Sequence, residues 1–245
     1  DDKIFLKNAN KKFGIWALDK NILVEFYKFN PILDQKKWYV GKTTKNRKIV
    51  IIDLKKNINE NYEKRRFYDV KNIEKKNILT ISKNSIDKKT FLKIYKDNMK
   101  KINADNFYFF SDEYLTKIMQ LDIVDTWFAY IDNHVVSAAI VLNSKKSKTV
   151  EYFLGARDLD YDKYKSTVFL LHKISEHYKN ENYQKFYLGG GRSESDEDTL
   201  LYFKKGFSNL TSNFYVAHKI YNDKIYMNLK KQTNSLNTHK ILFYR

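Results

Sequence analysis

Residues Tyr187–Phe207, YLGGGRSESDEDTLLYFKKGF, join an apolar strand end, three consecutive glycines, an acidic run and a short amphipathic segment closed by glycine. Gln184–Leu188 predicts a strand, and Gly189-Gly190-Gly191 predicts a tight turn with positive φ. Asp196–Lys205 predicts a short helix, with Asp196, Glu197 and Asp198 at its positive N-terminal end and Gly206 as its C-cap. At ~100° per residue, Phe203, Phe207, Leu200 and Leu201 span one apolar arc. Lys204 falls inside that arc and Lys205 at its edge. A lysine on an inward face either snorkels or serves a site, and beside a glycine turn Lys204 becomes the candidate catalytic residue. The glycines also let a substrate approach backbone N–H donors.

Working outward, Lys165–Lys179 predicts a helix with Val168, Leu171, Ile174 and Tyr178 inward. Before it, Thr126–Ile131, Val135–Leu142 and Lys148–Ala156 predict three strands, the first two flanking the turn Asp132-Asn133-His134. Val135–Leu142 is almost continuously apolar, as a strand covered on both faces should be. Lys88–Ala104 predicts an amphipathic helix carrying Phe91, Ile94, Tyr95, Met99 and Ile102 on one face. Ser111–Leu121 predicts another, N-capped by Ser111. In the first third, Asn21–Phe29, Lys48–Leu54 and Ile78–Ser82 predict strands and Asn59–Lys76 a charged helix. Asn213–Tyr221 and Lys224–Leu229 predict a closing hairpin around Asn222-Asp223. The polar stretch Lys83–Asp87 is a candidate domain boundary. The pattern is α/β (α+β), with neither a Rossmann alternation nor a barrel.

The 245 residues are 42% hydrophobic, 31% charged and 16% aromatic, which describes a folded chain rather than a disordered one. With Cys at 0, disulfide frameworks, cysteine nucleophiles and Cys-ligated zinc are excluded. The net charge of +17 is carried almost entirely by lysine. Lys, Asn, Ile, Tyr and Phe abound while Gly is 7 and Pro 1, a coding bias that discounts a nucleic-acid reading. The positive field still favours anionic partners. No apolar run approaches the ~20 residues of a membrane span, and no secretory leader is visible. The expected location is cytoplasmic, with peripheral membrane contact open. The chain begins at Asp1 without Met, so an incomplete N-terminal side is expected.

Other motifs fail on spacing. Gly41-Lys42-Thr43-Thr44 has Lys36 where a phosphate loop needs glycine. His172 and His177 stand five apart rather than four, so no metal is expected and both are read as exposed or half-buried. His134, His218 and His239 have no partner spacing. Gly191-Arg192-Ser193-Glu194-Ser195 lacks the second glycine of a nucleophile elbow. Lys64-Arg65-Arg66 reads as a solvated helix face.

The glycine turn, Phe203-Lys204 and Gly206-Phe207 resemble the C-terminal signature of the FemABX-type enzymes, a branch of the GNAT acyltransferase superfamily. Tyr95–Phe109, YKDNMKKINADNFYF, resembles the family's helix and exit, with Asn98 in place of Thr. Glu25–Leu33, EFYKFNPIL, is similar to a segment of GNAT-type relatives associated with cell-surface glycans, with Lys28 for Arg and Asn30 for His. The resemblance implies tandem GNAT-like subdomains: a short first one over 1–84, a second with the catalytic signature over 85–212, and C-terminal strands over 213–245. It implies transfer of an acyl or aminoacyl group to an amine of a bacterial cell-wall or cell-surface glycan precursor, such as that of peptidoglycan. Transfer is direct, without a covalent enzyme intermediate. No tightly bound cofactor is implied; the donor co-substrate is aminoacyl-tRNA or acyl-CoA. Partners are an anionic glycan or nucleotide-sugar precursor and, for the first donor, tRNA.

By the same resemblance Lys204 stabilises the charge that develops in transfer. Phe203, Gly189, Gly190, Gly191 and Arg192 are the substrate-binding candidates, with Tyr108 and Asp198 beside them. Acetyl-CoA-binding relatives carry a glycine-rich pyrophosphate loop. Ala156–Ser166, ARDLDYDKYKS, has no glycine and three aspartates, which favours the aminoacyl-tRNA type. The alternatives are an acyl-CoA-dependent N-acyltransferase of an amino sugar or small amine, a non-catalytic GNAT-fold binding module, and a basic RNA-binding protein.

Overall fold

Apolar runs and capping residues set the elements of the computed structural model, which describes residues 3–84, 88–238 and 240–243. In chain order they are α1 (Lys3–Asp19), β1 (Val24–Lys28), β2 (Lys42–Asp53), α2 (Lys64–Lys76), β3 (Thr80–Lys83), α3 (Lys88–Lys101), α4 (Asp112–Ile118), β4 (Val124–Ile131), β5 (His134–Ser144), β6 (Thr149–Arg157), α5 (Ser166–Asn180), β7 (Lys185–Gly190), α6 (Thr199–Lys205), β8 (Thr211–Ile220) and α7 (Asp223–Gln232). The chain is α/β, as its pattern of runs predicts. Ser111 caps α4, its Oγ accepting the N–H of Tyr114 at 3.2 Å. Asp132 takes φ 52° in the turn between β4 and β5.

Two local readings are corrected. Lys224–Leu229 is not a strand but lies within α7. Asn222 is its N-cap, accepting the N–H of Ile225 at 3.0 Å, and Asp223 sits in the first turn. The Asn-Asp pair that suits a hairpin turn suits a helix start equally. In addition, α1 is a helix that periodicity did not mark, because its apolar residues are spread around the axis and only Ala17 is buried. Residues 85–87 of the candidate boundary, and His239, lie outside the described residues.

The chain folds into two compact units, Asp1–Arg47 with Ser212–Arg245, and Lys48–Thr211. In the first, β1 pairs antiparallel with β8, Val24 opposite Ile220 and Lys28 opposite Val216. Glu25 accepts the phenols of Tyr39 and Tyr221 at 2.9 and 2.8 Å. On α7, Tyr226 is buried and donates to the Ile241 carbonyl at 2.8 Å.

The second unit holds a sheet ordered β2-β7-β6-β5-β4-β3, with β2 entering from Lys48. Pairing is antiparallel except between β6 and β7, which run parallel. On one face, Leu170, Leu171 and Ile174 of α5 pack with Val70 of α2, Leu201 of α6, and Val50, Val150, Phe186 and Leu188 of the sheet. On the other, Phe91, Tyr95 and Met99 of α3 and Leu115 of α4 pack on Phe128, Ala138 and Ile140. The central strand β5 is buried from Val136 to Val141, feeding both cores as its apolar run predicts. Each fully buried Leu, Ile or Phe contributes about 1.5–3 kcal/mol of apolar burial.

The parallel pairing is short. It joins Thr149 to Lys185, Val150 to Phe186 and Glu151 to Tyr187, and ends there, although β6 continues to Arg157 and β7 to Gly190. The ends of these two strands, with the helices that precede and follow β7, frame the candidate site.

Candidate functional site

The strand β7 carries two residues further than the sequence suggests and includes Gly189 and Gly190. Of the three glycines only Gly189 takes a positive φ, 76°, a conformation that glycine adopts without a Cβ penalty. Lys204 of α6 is 7% exposed, in keeping with its place inside the apolar arc. Its Nζ donates to the Gly190 carbonyl oxygen at 2.8 Å. A Cβ on Gly189 would lie 3.3 Å from that Nζ, so the glycine lets the ammonium settle against the strand end.

The turn after β7 is folded around Asp198. Its Oδ1 accepts the N–H groups of Leu200 and Leu201 at 2.9 and 3.0 Å, capping α6. Its Oδ2 accepts the N–H groups of Arg192 and Ser193 at 2.8 and 3.0 Å, and the Ser193 hydroxyl at 3.2 Å. Burial opposes ionisation, but the donated N–H groups of Leu201, Ser193, Arg192 and Leu200 win and hold the carboxyl at about 2. Gly191 is needed for close approach, since a Cβ there would lie 2.5 Å from the Asp198 carboxyl carbon. The Arg192 and Ser193 N–H groups are thus committed to Asp198. The side chain of Arg192 is exposed.

Phe203 and Lys204 leave α6 in different directions. Phe203 lines a cleft of about 310 Å³ bounded by α2, the end of β6, the start of α5 and α6. Its cations are Arg65, Arg66, Arg157 and Lys165, against Glu63, Asp69 and Asp162. Arg66 stacks 4.9 Å from Phe203 and 4.4 Å from Phe207, and its Nη2 donates to the Phe203 carbonyl at 3.1 Å. Gly206 is the C-cap of α6, yet with φ −55° it stays right-handed. Its missing side chain serves the arginine instead, because a Cβ would lie 3.0 Å from Arg66 Nε and Nη2. Lys165 binds Asp69 at 2.6 Å, and Arg157 Nε lies 3.0 Å from Asp162. Arg66 Nε and Thr167 Oγ1 are buried without a hydrogen-bond partner. Lys165 is the left-handed N-cap of the 15-residue α5, and no side chain caps that end. A net positive lining, two unused polar groups and a helix N-terminus make an arrangement suited to phosphate. This corrects the reading of Lys64-Arg65-Arg66 as a solvated face: Arg66 is half-buried in the cleft, while Lys64 and Arg65 are exposed.

The glycine-free stretch after β6 forms a 3₁₀ turn over Leu159–Tyr164, N-capped by Asp158. Two of its charged residues, Asp162 and Lys165, line the cleft. Tyr108 stands apart from the glycine turn in what it touches. It is 40% exposed, its carbonyl accepts the Tyr95 phenol at 2.9 Å, and its ring meets Phe107.

His172 is a further correction, being buried rather than exposed or half-buried. Its Nδ1 lies 3.0 Å from the Tyr62 phenol, and its Nε2 lies 3.3 Å from Glu176 and 3.5 Å from Glu74. The relevant spacing is His172 to Glu176, i to i+4 on one helix face, not His172 to His177. Glu74, His172 and Glu176 have the donors and proximity to hold a metal ion. The Lys173 ammonium already bridges the two carboxylates at 3.2 and 2.7 Å.

No described helix is long and apolar enough to cross a membrane. No protein-family model matches the sequence, and no curated protein matches it. Solved structures do. The C-terminal domain of a lysylphosphatidylglycerol synthetase from Agrobacterium fabrum aligns at 16% identity and TM-score 0.59, over 87% of this chain and 73% of that one. L-PGS from Bacillus licheniformis aligns at 13% identity and TM-score 0.64, over 94% and 77%. FemX aligns at 14% identity and TM-score 0.61, over 87% and 70%. The chain therefore has the α/β GNAT-like fold of FemX and of these synthetase domains.

Proposed function

We propose that this chain is an acyltransferase that moves an acyl or aminoacyl group from a phosphate-bearing donor onto an amine of a cell-envelope glycan precursor. The observation that carries the reading is the buried Lys204 ammonium fixed at the Gly190 carbonyl, three residues beyond the end of the β6–β7 pairing at Tyr187. An ammonium there can stabilise the oxyanion of a carbonyl under attack, in a site where burial strengthens the interaction. The likeness in fold to FemX and L-PGS agrees with this chemistry.

Transfer is direct. The acceptor amine attacks an activated ester or thioester carbonyl, and Lys204 meets the charge on oxygen. Phe203 and Arg66 form a wall of the cleft, and the cations there hold the donor's phosphate. The absence of glycine after β6 favours aminoacyl-tRNA over acyl-CoA as donor. Arg192, exposed beside the turn, is placed for an anionic group of the acceptor.

The test is amide formation by the purified chain, supplied in parallel with charged tRNA or acetyl-CoA and with a muropeptide precursor or an amino sugar. Product with charged tRNA supports the favoured donor. Product with acetyl-CoA alone assigns the acyl-CoA alternative. Binding without product in any pairing assigns a non-catalytic module.

A further inference from the structure

Glu74 of α2 and His172 and Glu176 of α5 bring three metal-ligating side chains together outside the site described above. His172 and Glu176 stand at i and i+4, so both leave one face of α5. His172 is 1% exposed. The phenol oxygen of Tyr62, itself a buried residue, lies 3.0 Å from Nδ1, which fixes the ring and turns Nε2 toward the two carboxylates. Nε2 lies 3.3 Å from Glu176 Oε1 and 3.5 Å from Glu74 Oε1. A charge-assisted N–H···O bond is shorter, about 2.7–2.9 Å, and one Nε2–H satisfies one acceptor rather than two. Two ligand atoms on a tetrahedral metal, with bonds of about 2.0–2.2 Å, stand about 3.3–3.6 Å apart. The separations at Nε2 match that spacing. The outer carboxylate oxygens are engaged elsewhere: Lys71 holds Glu74 Oε2 at 3.0 Å, and Lys173 holds Glu176 Oε2 at 2.7 Å. Ligating carboxylates are commonly supported by such outer hydrogen bonds.

We infer that Glu74 Oε1, His172 Nε2 and Glu176 Oε1 bind a Zn²⁺ ion that clamps α2 to α5. One imidazole and two carboxylates suit zinc, whose fourth position a water fills. The two carboxylate charges balance the ion. The Tyr62 oxygen accepts the Nδ1–H, which leaves the Nε2 lone pair for the metal. The side chains of Glu74 and Glu176 are 28% and 41% exposed, so the ion enters from solvent. One contact competes with it: the Lys173 ammonium also reaches Glu74 Oε1, at 3.2 Å, and the ion displaces it there. Arg66 of α2 and Thr167 of α5 line the cleft, whereas none of the three ligands does. The metal therefore fastens the two helices that bound the cleft from a point outside it. The inference is independent of the acyltransferase reading.

The experiment titrates the chelator-treated chain with zinc chloride in a calorimeter and records thermal melts with and without zinc, for wild type, Glu74→Gln, Glu176→Gln and Lys173→Met. Wild type should take up one equivalent with Kd about 10⁻⁶ M or tighter. It should melt at a higher temperature with zinc, because a ligand held only by the folded state stabilises it. Each Gln variant keeps the shape of the side chain but loses the anionic ligand, so its Kd should rise about tenfold or more and the zinc-dependent melt shift should vanish. The zinc-free melts separate a lost ligand from a lost fold. Lys173→Met removes the competing ammonium and should bind zinc more tightly than wild type. Loss of the melt shift in Glu74→Gln bears on the clamp itself, since Glu74 alone of the three ligands comes from α2. A wild-type chain that takes up no zinc at about 10⁻⁴ M overturns the inference. Uptake with the same Kd in wild type and in both Gln variants places the ion on other side chains and overturns it as well.

Discussion

The Lys204 ammonium lies 2.8 Å from the Gly190 carbonyl oxygen, and Gly189, one residue earlier, is the only one of the three glycines with positive φ. A charged side chain on the inward face of a seven-residue helix is thus held by the glycine turn. It stands at Gly190, three residues beyond Tyr187, where the parallel pairing of β6 with β7 ends.

Gly189 is bound to this geometry twice, by its φ and by the 3.3 Å that would separate a Cβ from Lys204 Nζ. Gly189→Ala should cost about 1–2 kcal/mol from the left-handed conformation and displace the ammonium. Thermal melts should show the stability loss, and turnover should fall by more than the melt alone explains.

Asp198 gathers four backbone N–H groups, two from α6 and two from the turn. Asp198→Ala should cost about 0.5–2 kcal/mol, the range for a lost N-cap. The carboxyl is held at about 2, below its ordinary value of 3.8. A depressed acid contributes stability above its unfolded value and loses it as pH falls through the folded one. The gap in melting temperature between wild type and Asp198→Ala should be constant above about pH 5 and narrow progressively as pH falls towards 2.

Arg66 reaches Phe203, Phe207 and the Phe203 carbonyl from α2 and keeps a buried Nε without a partner. Lysine retains the charge but not the planar fork. Arg66→Lys should raise the donor KM about tenfold, the loss of one charged hydrogen bond at about 1.5 kcal/mol, with kcat little changed. Steady-state kinetics across salt concentrations separates this from a general loss of charge, which would act alike on every cation of the cleft.

Much of the second unit was legible because its strands and helices carry their own periodicity and caps. The run Val135–Leu142 announced a strand buried on both faces, and Ser111 announced a helix start. The burial of Lys204 followed from counting angles around α6. The cleft was not legible. Arg66, Arg157 and Lys165 come from α2, β6 and the start of α5, and only the fold of the sheet brings them together. The spacing of His172 to His177 carries no information on the surroundings of His172. The partners of His172 are Glu176 one turn on and Glu74 from another helix. Asn222-Asp223 could not be resolved locally, since a turn and an N-cap use the same side-chain acceptor. The pairing of Glu151 with Tyr187 depends on parallel register, which no local pattern encodes.

The measurement that bears most directly on the central claim is single-turnover acyl transfer by Lys204→Met, a variant close in length without the charge. Removing one oxyanion donor typically costs ~10²–10³ in rate. The account predicts a loss of that size in the chemical step, with a folded protein and donor binding intact. A folded Lys204→Met chain that transfers at the wild-type rate would contradict it.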